Sequence, residues 1–303
     1  MSVRQAGIGI RGVAWVVVAA LVSIGLSPAQ GEAQYSRAHA EALANAHDVN
    51  GLVAYLEAWT KAEPNNDEAW YLLGAEYGSK YYGLGLQRPR DAYAALHRAV
   101  ALNPHRPEPW NVLGMITPEL GLWDECIDAL KHAIAEAPAR INYHTSLAAC
   151  YSHGRQFPAA LETLRSAEPY ATTEQHWLLL ANSYSQVGAA SAEQEAFKRA
   201  EAADRKALEL NPRNGSTWTS LGVALAAQGR GRNAFDAYQQ GSRLGDKTAA
   251  QYYQGLQNDL QYCQNFSRSP SVNIATLEVY NRICSKFFNS GYGLTQYHVE
   301  VKP

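Results

Sequence analysis

Apolar residues recur at helical spacing along most of this chain. Between Pro107 and Arg140 they fall in two runs. Trp110, Leu113 and Gly114 mark the first, and Cys126, Leu130 and Ala133 the second, at intervals of three and four. That is the stripe of an amphipathic helix, written twice, and Gly121 sits at the break between the runs. The pattern predicts a helical hairpin of about 34 residues closed by Pro138, and a period of that size implies a stacked array.

The hairpin recurs with small changes. Asp67 opens a unit with Trp70, Leu73, Gly74 and Tyr77, then Ala92, Leu96, Ala99 and Pro104. Its spacing is six residues longer, the excess lies in 78–88, and Pro89 suits the first turn of the second helix, where a missing N–H costs little. Ile141 to Thr173 carries Leu147, Ala148, Tyr151, Gly154, Ala160, Leu164 and Ala167, with Pro158 at the start of its second helix. Glu174 to Asn214 carries Trp177, Leu180, Ala181, Tyr184, Gly188, Ala200, Ala207 and Pro212; its extra residues are expected in one long second helix, Ser191 to Leu210. Gly215 to Thr248 carries Trp218, Leu221, Gly222, Leu225, Gly229, Ala234 and Tyr238. A small residue at the eighth position lets two helices approach, small residues on the second helix admit the next hairpin, and each hairpin buries its apolar face only by stacking on a neighbour.

Trp, two residues, Leu-Gly, then small and large apolar positions on a second helix, then Pro: this resembles the tetratricopeptide repeat (TPR) over residues 67–248. The resemblance implies an all-α fold, a right-handed superhelical solenoid whose concave groove binds protein. Carried onto this chain, the family's groove positions give Tyr71, Asn111, Met115, Asn142, Thr145, Ser152, His153, Asn182, Ser185, Gln186 and Thr219 as the partner-binding set. The set is polar and lacks Lys and Arg, so the cationic grip on a partner's C-terminal carboxylate that some relatives use is not expected. Amides and hydroxyls on a preformed surface suit a peptide backbone, or alternatively a glycan. Pro118 stands within the first helix of its unit, and that helix is expected to end near Thr117.

The ends depart from the pattern. Residues 34–66 read as a degenerate first hairpin, with Asp48 as an N-cap and Leu52, Tyr55, Leu56 and Trp59 on one face. Residues 249–262 read as a capping helix. Residues 263–303 lie outside the repeat: a polar loop over 264–270, a helix over 272–288 and a short alternating strand over 295–301.

Residues 1–33 carry a different signal. Arg4 and Arg11 precede a 14-residue apolar run, Val13 to Leu26, and small residues follow through Ala29 and Ala33. That order predicts a secretory signal peptide, hence a periplasmic or secreted protein; the alternative is an uncleaved inner-membrane anchor. The run is short for a bilayer span of about 20 residues. No later stretch is apolar enough to cross a membrane.

The chain has 303 residues and a formal net charge of −2, with no basic stripe, so nucleic acid is not an expected partner. Among its four Cys, Cys263 and Cys284 flank the closing loop and are expected to pair, a link worth about 3 kcal/mol in the entropy account. Cys126 and Cys150 occupy core positions and are expected to stay free thiols. The nine His are scattered without metal-ligand spacing, and Asp124-Glu125 reads as a solvated helix face. Gly7 to Gly12 matches a dinucleotide-binding spacing but lies in the signal segment with no strand before it. No nucleophile–base pattern, metal site or cofactor motif stands out, so the expectation is a non-enzymatic scaffold without a cofactor.

Overall fold

Helix starts follow from local chemistry. Asn66 Oδ1 accepts the N–H groups of Glu68 and Ala69 at 3.0 and 3.1 Å and so caps α3 (Asp67–Tyr77). Asn214 does the same for α11 (Gly215–Ala227), and the Thr173 hydroxyl caps α9 (Glu174–Ser191). Pro occupies the first turn of α4 (Pro89–Leu102), α5 (Pro107–Ile116) and α8 (Phe157–Ala167), where no intrahelical N–H bond is lost. The computed structural model describes residues 35–78, 88–268 and 274–285, and among these every regular element is a helix. The expected signal segment, most of the 78–88 excess and the strand expected over 295–301 lie outside the described residues.

The described residues divide into two compact units, with the division between Tyr55 and Leu56. In the first, α1 (Arg37–Asn45) is capped by Ser36, whose N–H donates to the Tyr55 hydroxyl at 2.7 Å. The His39 ring packs on Tyr55 at 4.6 Å. Asp48 caps α2 (Val49–Ala62) through the Gly51 N–H at 2.9 Å.

In the second unit, helices pack in chain order. The hairpins are α3 with α4, α5 with α6 (Trp123–Glu136), α7 (Ile141–His153) with α8, α9 with α10 (Gln194–Leu210), and α11 with α12 (Gly231–Arg243). Each second helix also packs on the first helix of the next hairpin. α13 (Lys247–Arg268) and α14 (Ile274–Cys284) close the described chain.

Three hairpins share one contact, and a fourth makes a similar one further along its first helix. A Cβ added at Gly74 would lie 2.6 Å from Leu96 Cγ, at Gly114 2.5 Å from Leu130 Cγ, at Gly188 2.9 Å from Phe197 Cζ, and at Gly222 2.4 Å from Tyr238 Cε1. In each, a large side chain of the second helix fills the space that a first-helix side chain would take. Gly74, Gly114 and Gly222 stand four residues after the Trp of their helix; the α7/α8 and α9/α10 hairpins hold Ala148 and Ala181 at that position, and Gly188 makes its contact seven residues further on.

A second recurring contact joins successive hairpins. The indole N–H groups of Trp70, Trp110 and Trp218 donate to the carbonyls of Pro64, Pro104 and Pro212 at 2.9, 2.8 and 2.9 Å. In α7 the position belongs to His144, which reaches the Pro138 carbonyl through Nε2 at 2.8 Å. A carbonyl only accepts, so Nε2 carries the proton; Nδ1 lies 3.3 Å from Ser166 Oγ, whose own proton goes to the Thr163 carbonyl at 2.7 Å. This His is thus a structural substitute for Trp.

Several expectations need correction. The second helix of the α9/α10 hairpin is long and ends at Leu210 as expected, but it starts at Gln194 and not at Ser191, and the extra residues also lengthen α9, to 18 residues. Ser191 ends α9: its hydroxyl donates to the Val187 carbonyl, and Ala192 turns the chain in the left-handed region at φ 61°. The expected loop over 264–270 is helical to Arg268, because Phe266 stacks on Tyr280 at 4.6 Å and Ser267 bonds the Tyr280 hydroxyl at 3.0 Å. Asp124 is exposed as expected, but Glu125 is half-buried: its carboxylate accepts from the Tyr93 hydroxyl at 3.0 Å and meets His97 Nε2 at 2.6 Å, joining α6 to α4. Cys126 and Cys150 are not free thiols. They stand at disulfide distance with Cα atoms 6.3 Å apart, because α6 packs on α7 with these residues opposed. Cys263 and Cys284 also pair, Cα atoms 5.8 Å apart. α5 ends at Ile116, and Thr117–Leu120 continues as a 3-10 turn, as Pro118 requires.

Asp204 on α10 is fully buried, and neither carboxylate oxygen has a well-formed hydrogen bond. Burial pushes its carboxyl up to about 7; the Ser220 hydroxyl pulls down, and the Glu201 charge pushes up with burial. Between its unfolded pKa and about 7 the folded chain therefore holds a proton that the unfolded chain has lost, and stability falls as pH rises through this window. Asp204→Asn is expected to remove that slope in urea unfolding and, at pH 8, to raise stability over wild type by on the order of 1–3 kcal/mol. An unchanged slope would mean that Asp204 does not titrate there.

The close approach makes a paired prediction. Gly222→Ala is expected to cost about 1–3 kcal/mol by overpacking against Tyr238. Gly255→Ala, with no neighbour within 4 Å on α13, is expected to gain up to about 1 kcal/mol from helix propensity. Urea midpoints of the two variants read both effects.

Candidate functional site

First helices of successive hairpins touch, α5 with α7 and α7 with α9, and two cavities lie along this face. One, of about 230 Å³, lies between α7 and α9, lined by Thr145, Ala148, Ala149, Ser152, His153, Ser183, Gln186, Val187 and Ala190. The other, of about 250 Å³, lies between α5, the 3-10 turn, the start of α6 and α7, lined by Gly114, Met115, Pro118, Trp123, Ser146, Ala149, Cys150 and His153. Ala149 and His153 line both, so the cavities adjoin. Small residues make the floor because neighbouring hairpins need them to pack.

The geometry at the junction is set by Trp123 and His153. Their rings stack with centroids 4.6 Å apart and planes at 29°. Trp123 can reach this face because Pro118 ends α5 early and Gly121, at φ 76°, turns the chain into α6. Ser152 donates its hydroxyl to the Ala148 carbonyl at 2.8 Å, so it is held rather than activated. Among the described residues, no group of three or more His, Cys, Asp or Glu comes close enough to hold a metal ion.

Of the residues expected in the groove, Met115, Thr145, Ser152, His153 and Gln186 line these cavities. Asn142 and Asn182 are exposed on α7 and α9 but line neither. Ser185 turns its hydroxyl inward, buried and without a hydrogen-bond partner. Asn111 is 5% exposed; its amide donates to Met115 Sδ at 3.6 Å, and Oδ1 has no partner. Thr219 is committed to the fold, donating to Asp246 Oδ1 at 2.9 Å, where that carboxylate also caps α13 through the Ala249 N–H. Tyr71 stands apart, with the Arg106 guanidinium 5.0 Å over its ring and Arg106 paired to Asp67 at 3.1 Å.

Sequence reasoning missed Trp123, Ser146, Ser183 and the cysteine wall. Trp123 stands at the first position of a second helix, outside the expected groove set, and only the broken helix before it hints at its reach. It also missed Arg106, a cation on the connection before α5.

Stacked two-helix hairpins with Gly or Ala at the contact and a Trp–Pro tie between successive units define an all-α TPR solenoid. Solved structures agree. The C-terminal part of a TPR repeat-containing protein from Cytophaga hutchinsonii matches 82% of this chain and 93% of its own, at 15% identity and a TM-score of 0.56. Yeast Tom70 matches 75% of this chain and 46% of its own, at 17% identity and a TM-score of 0.51. At these identities the likeness shows the fold. No protein-family model matches the sequence, and no curated protein does.

Proposed function

We propose that this chain is an exported, non-catalytic scaffold that holds a protein or peptide partner on its first-helix face, centred on the two adjoining cavities. In this reading, residues 1–33 are a signal peptide, 34–66 a degenerate first hairpin, 67–248 five TPR units, 249–262 a capping helix and 263–303 a non-repeat closing segment. Export is supported by the basic, apolar and small-residue order of 1–33 and by two cysteine pairs at disulfide distance, which persist in oxidising compartments. No helix among the described residues is long and apolar enough to cross a membrane.

The observation that carries the reading is an uncharged surface continuous across three hairpins. From Pro118 to Ala190 the lining offers Ala, Val, Met and Trp for apolar side chains. Thr145, Ser146, Ser183 and Gln186 offer hydroxyl and amide groups for a partner's backbone. With no Lys, Arg, Asp or Glu in the lining, recognition does not depend on opposite charge. Catalysis has no support there, because Ser152 is bonded to its own helix and His153 is stacked on Trp123.

A random-peptide display library panned on the oxidised full chain tests this. Selected peptides are expected to be uncharged at their centre and to bind with little change between low and high salt. Thr145→Ala with Gln186→Ala is expected to weaken them about tenfold, roughly 1.4 kcal/mol. Asp236→Ala, far from the cavities, should leave binding unchanged. Selection of strongly acidic or basic peptides, or indifference to the double variant, would remove the cavities from the site. Capture of glycans in place of peptides would favour the alternative ligand class.

A further inference from the structure

Two rungs join α6 to α7. Cys126 with Cys150 forms one, and the stacked rings of Trp123 and His153 form the other. On each helix the two members are three residues apart, about one turn, and the helices run in opposite directions. The covalent rung and the aromatic rung therefore lie side by side. Their exposure to the cavity differs. Cys150 lines the cavity of about 250 Å³ with Trp123 and His153, whereas Cys126 is fully buried and does not line it. Cys126 Sγ instead lies 3.0 Å from the Gly114 carbonyl, inside the α5/α6 hairpin. The second cysteine pair has no such opening, since Cys263 and Cys284 are both fully buried.

The geometry points to a thiol-operated latch: a small thiolate entering the cavity attacks Cys150 Sγ, Cys126 leaves, and loss of the covalent rung parts the Trp123–His153 rung beside it. The new S–S bond joins the incoming sulfur to Cys150 as the Cys126–Cys150 bond breaks, and the electron pair leaves on Cys126 Sγ, which takes a proton from solvent. A second thiol of the same class then displaces Cys150. The balance is one cystine reduced to two thiols and two external thiols oxidised to one disulfide. Two thiol sulfurs cannot sit as close as bonded ones, so the Cys126 and Cys150 side chains must part, and in this proposal α6 and α7 separate with them at this turn. The cavity reshaped by that movement is the one assigned above to the partner, so the latch's regulatory meaning rests on that reading; its chemistry does not.

The test uses the oxidised full chain, limiting reduced glutathione, iodoacetamide at quench and peptide mapping. Glutathione is expected on Cys150 and carbamidomethyl on Cys126, with Cys263–Cys284 still bridged. Glutathione on Cys126, or opening of Cys263–Cys284 first, overturns the proposed attack. The latch itself is read from His153 ring protons by NMR. In the oxidised chain they are shifted upfield by the Trp123 ring, a shift that Trp123→Leu abolishes. After reduction the shift is expected to fall by at least half while helical circular dichroism is retained. A shift that persists, or a general loss of helix, overturns the latch. Neither readout involves a partner, so failure of the peptide selection and failure of the latch are separate results.

Discussion

The solenoid depends on what is missing from four positions. Where Gly74, Gly114, Gly188 and Gly222 lack a Cβ, Leu96, Leu130, Phe197 and Tyr238 move in, and the two helices of each hairpin close on one another. The spacing of helix axes is set by that contact, and the rest follows. Only at that spacing do the second helices present their Ala residues to the next hairpin at zero or near-zero exposure. Only then do the Trp indoles reach the carbonyls of the preceding Pro residues. Packing at interior density allows few alternatives, because a methyl group added at such a contact must displace a buried neighbour.

The cavities arise from the same constraint. A face built to admit neighbours must be floored by small residues, and where three first helices meet, Ala148, Ala149 and Ala190 leave room that packing does not fill. The break after α5 adds the aromatic edge. Pro118 removes the helix that would have extended across the face, and Trp123 comes round to stand against His153. A regular repeat with one interrupted helix thereby acquires a place unlike the others along the array.

Much of the fold was legible because it is local. Trp, Leu, Gly and Pro at fixed spacing specify a helix, its buried stripe, its close contact and its end within one hairpin, and Pro118 announced the early end of α5. What was not legible depends on neighbours. Cys126 and Cys150 are 24 residues apart and meet only because α6 packs on α7 in a particular register. Glu125 looks like a surface acid until α4 brings Tyr93 and His97 to it. Asn111 and Thr219 hold groove positions by number, yet one lies buried against Met115 and the other helps cap α13. The polar stretch after Cys263 stays helical because Phe266 and Ser267 meet Tyr280 on α14, a pairing no spacing rule contains.

The bridge between Cys263 and Cys284 has a consequence for how this end of the array comes apart. A stack of hairpins frays from its ends, where the outermost helix has a neighbour on one side only. Here the last described helix is bonded to the one before it, so α14 cannot drift away alone. Fraying at this end must lift both helices at once, including the Phe266–Tyr280 stack between them. The bridge thus converts a gradual loosening into a single, larger cooperative opening, and exchange of amide hydrogens along α13 and α14 would rise and fall together.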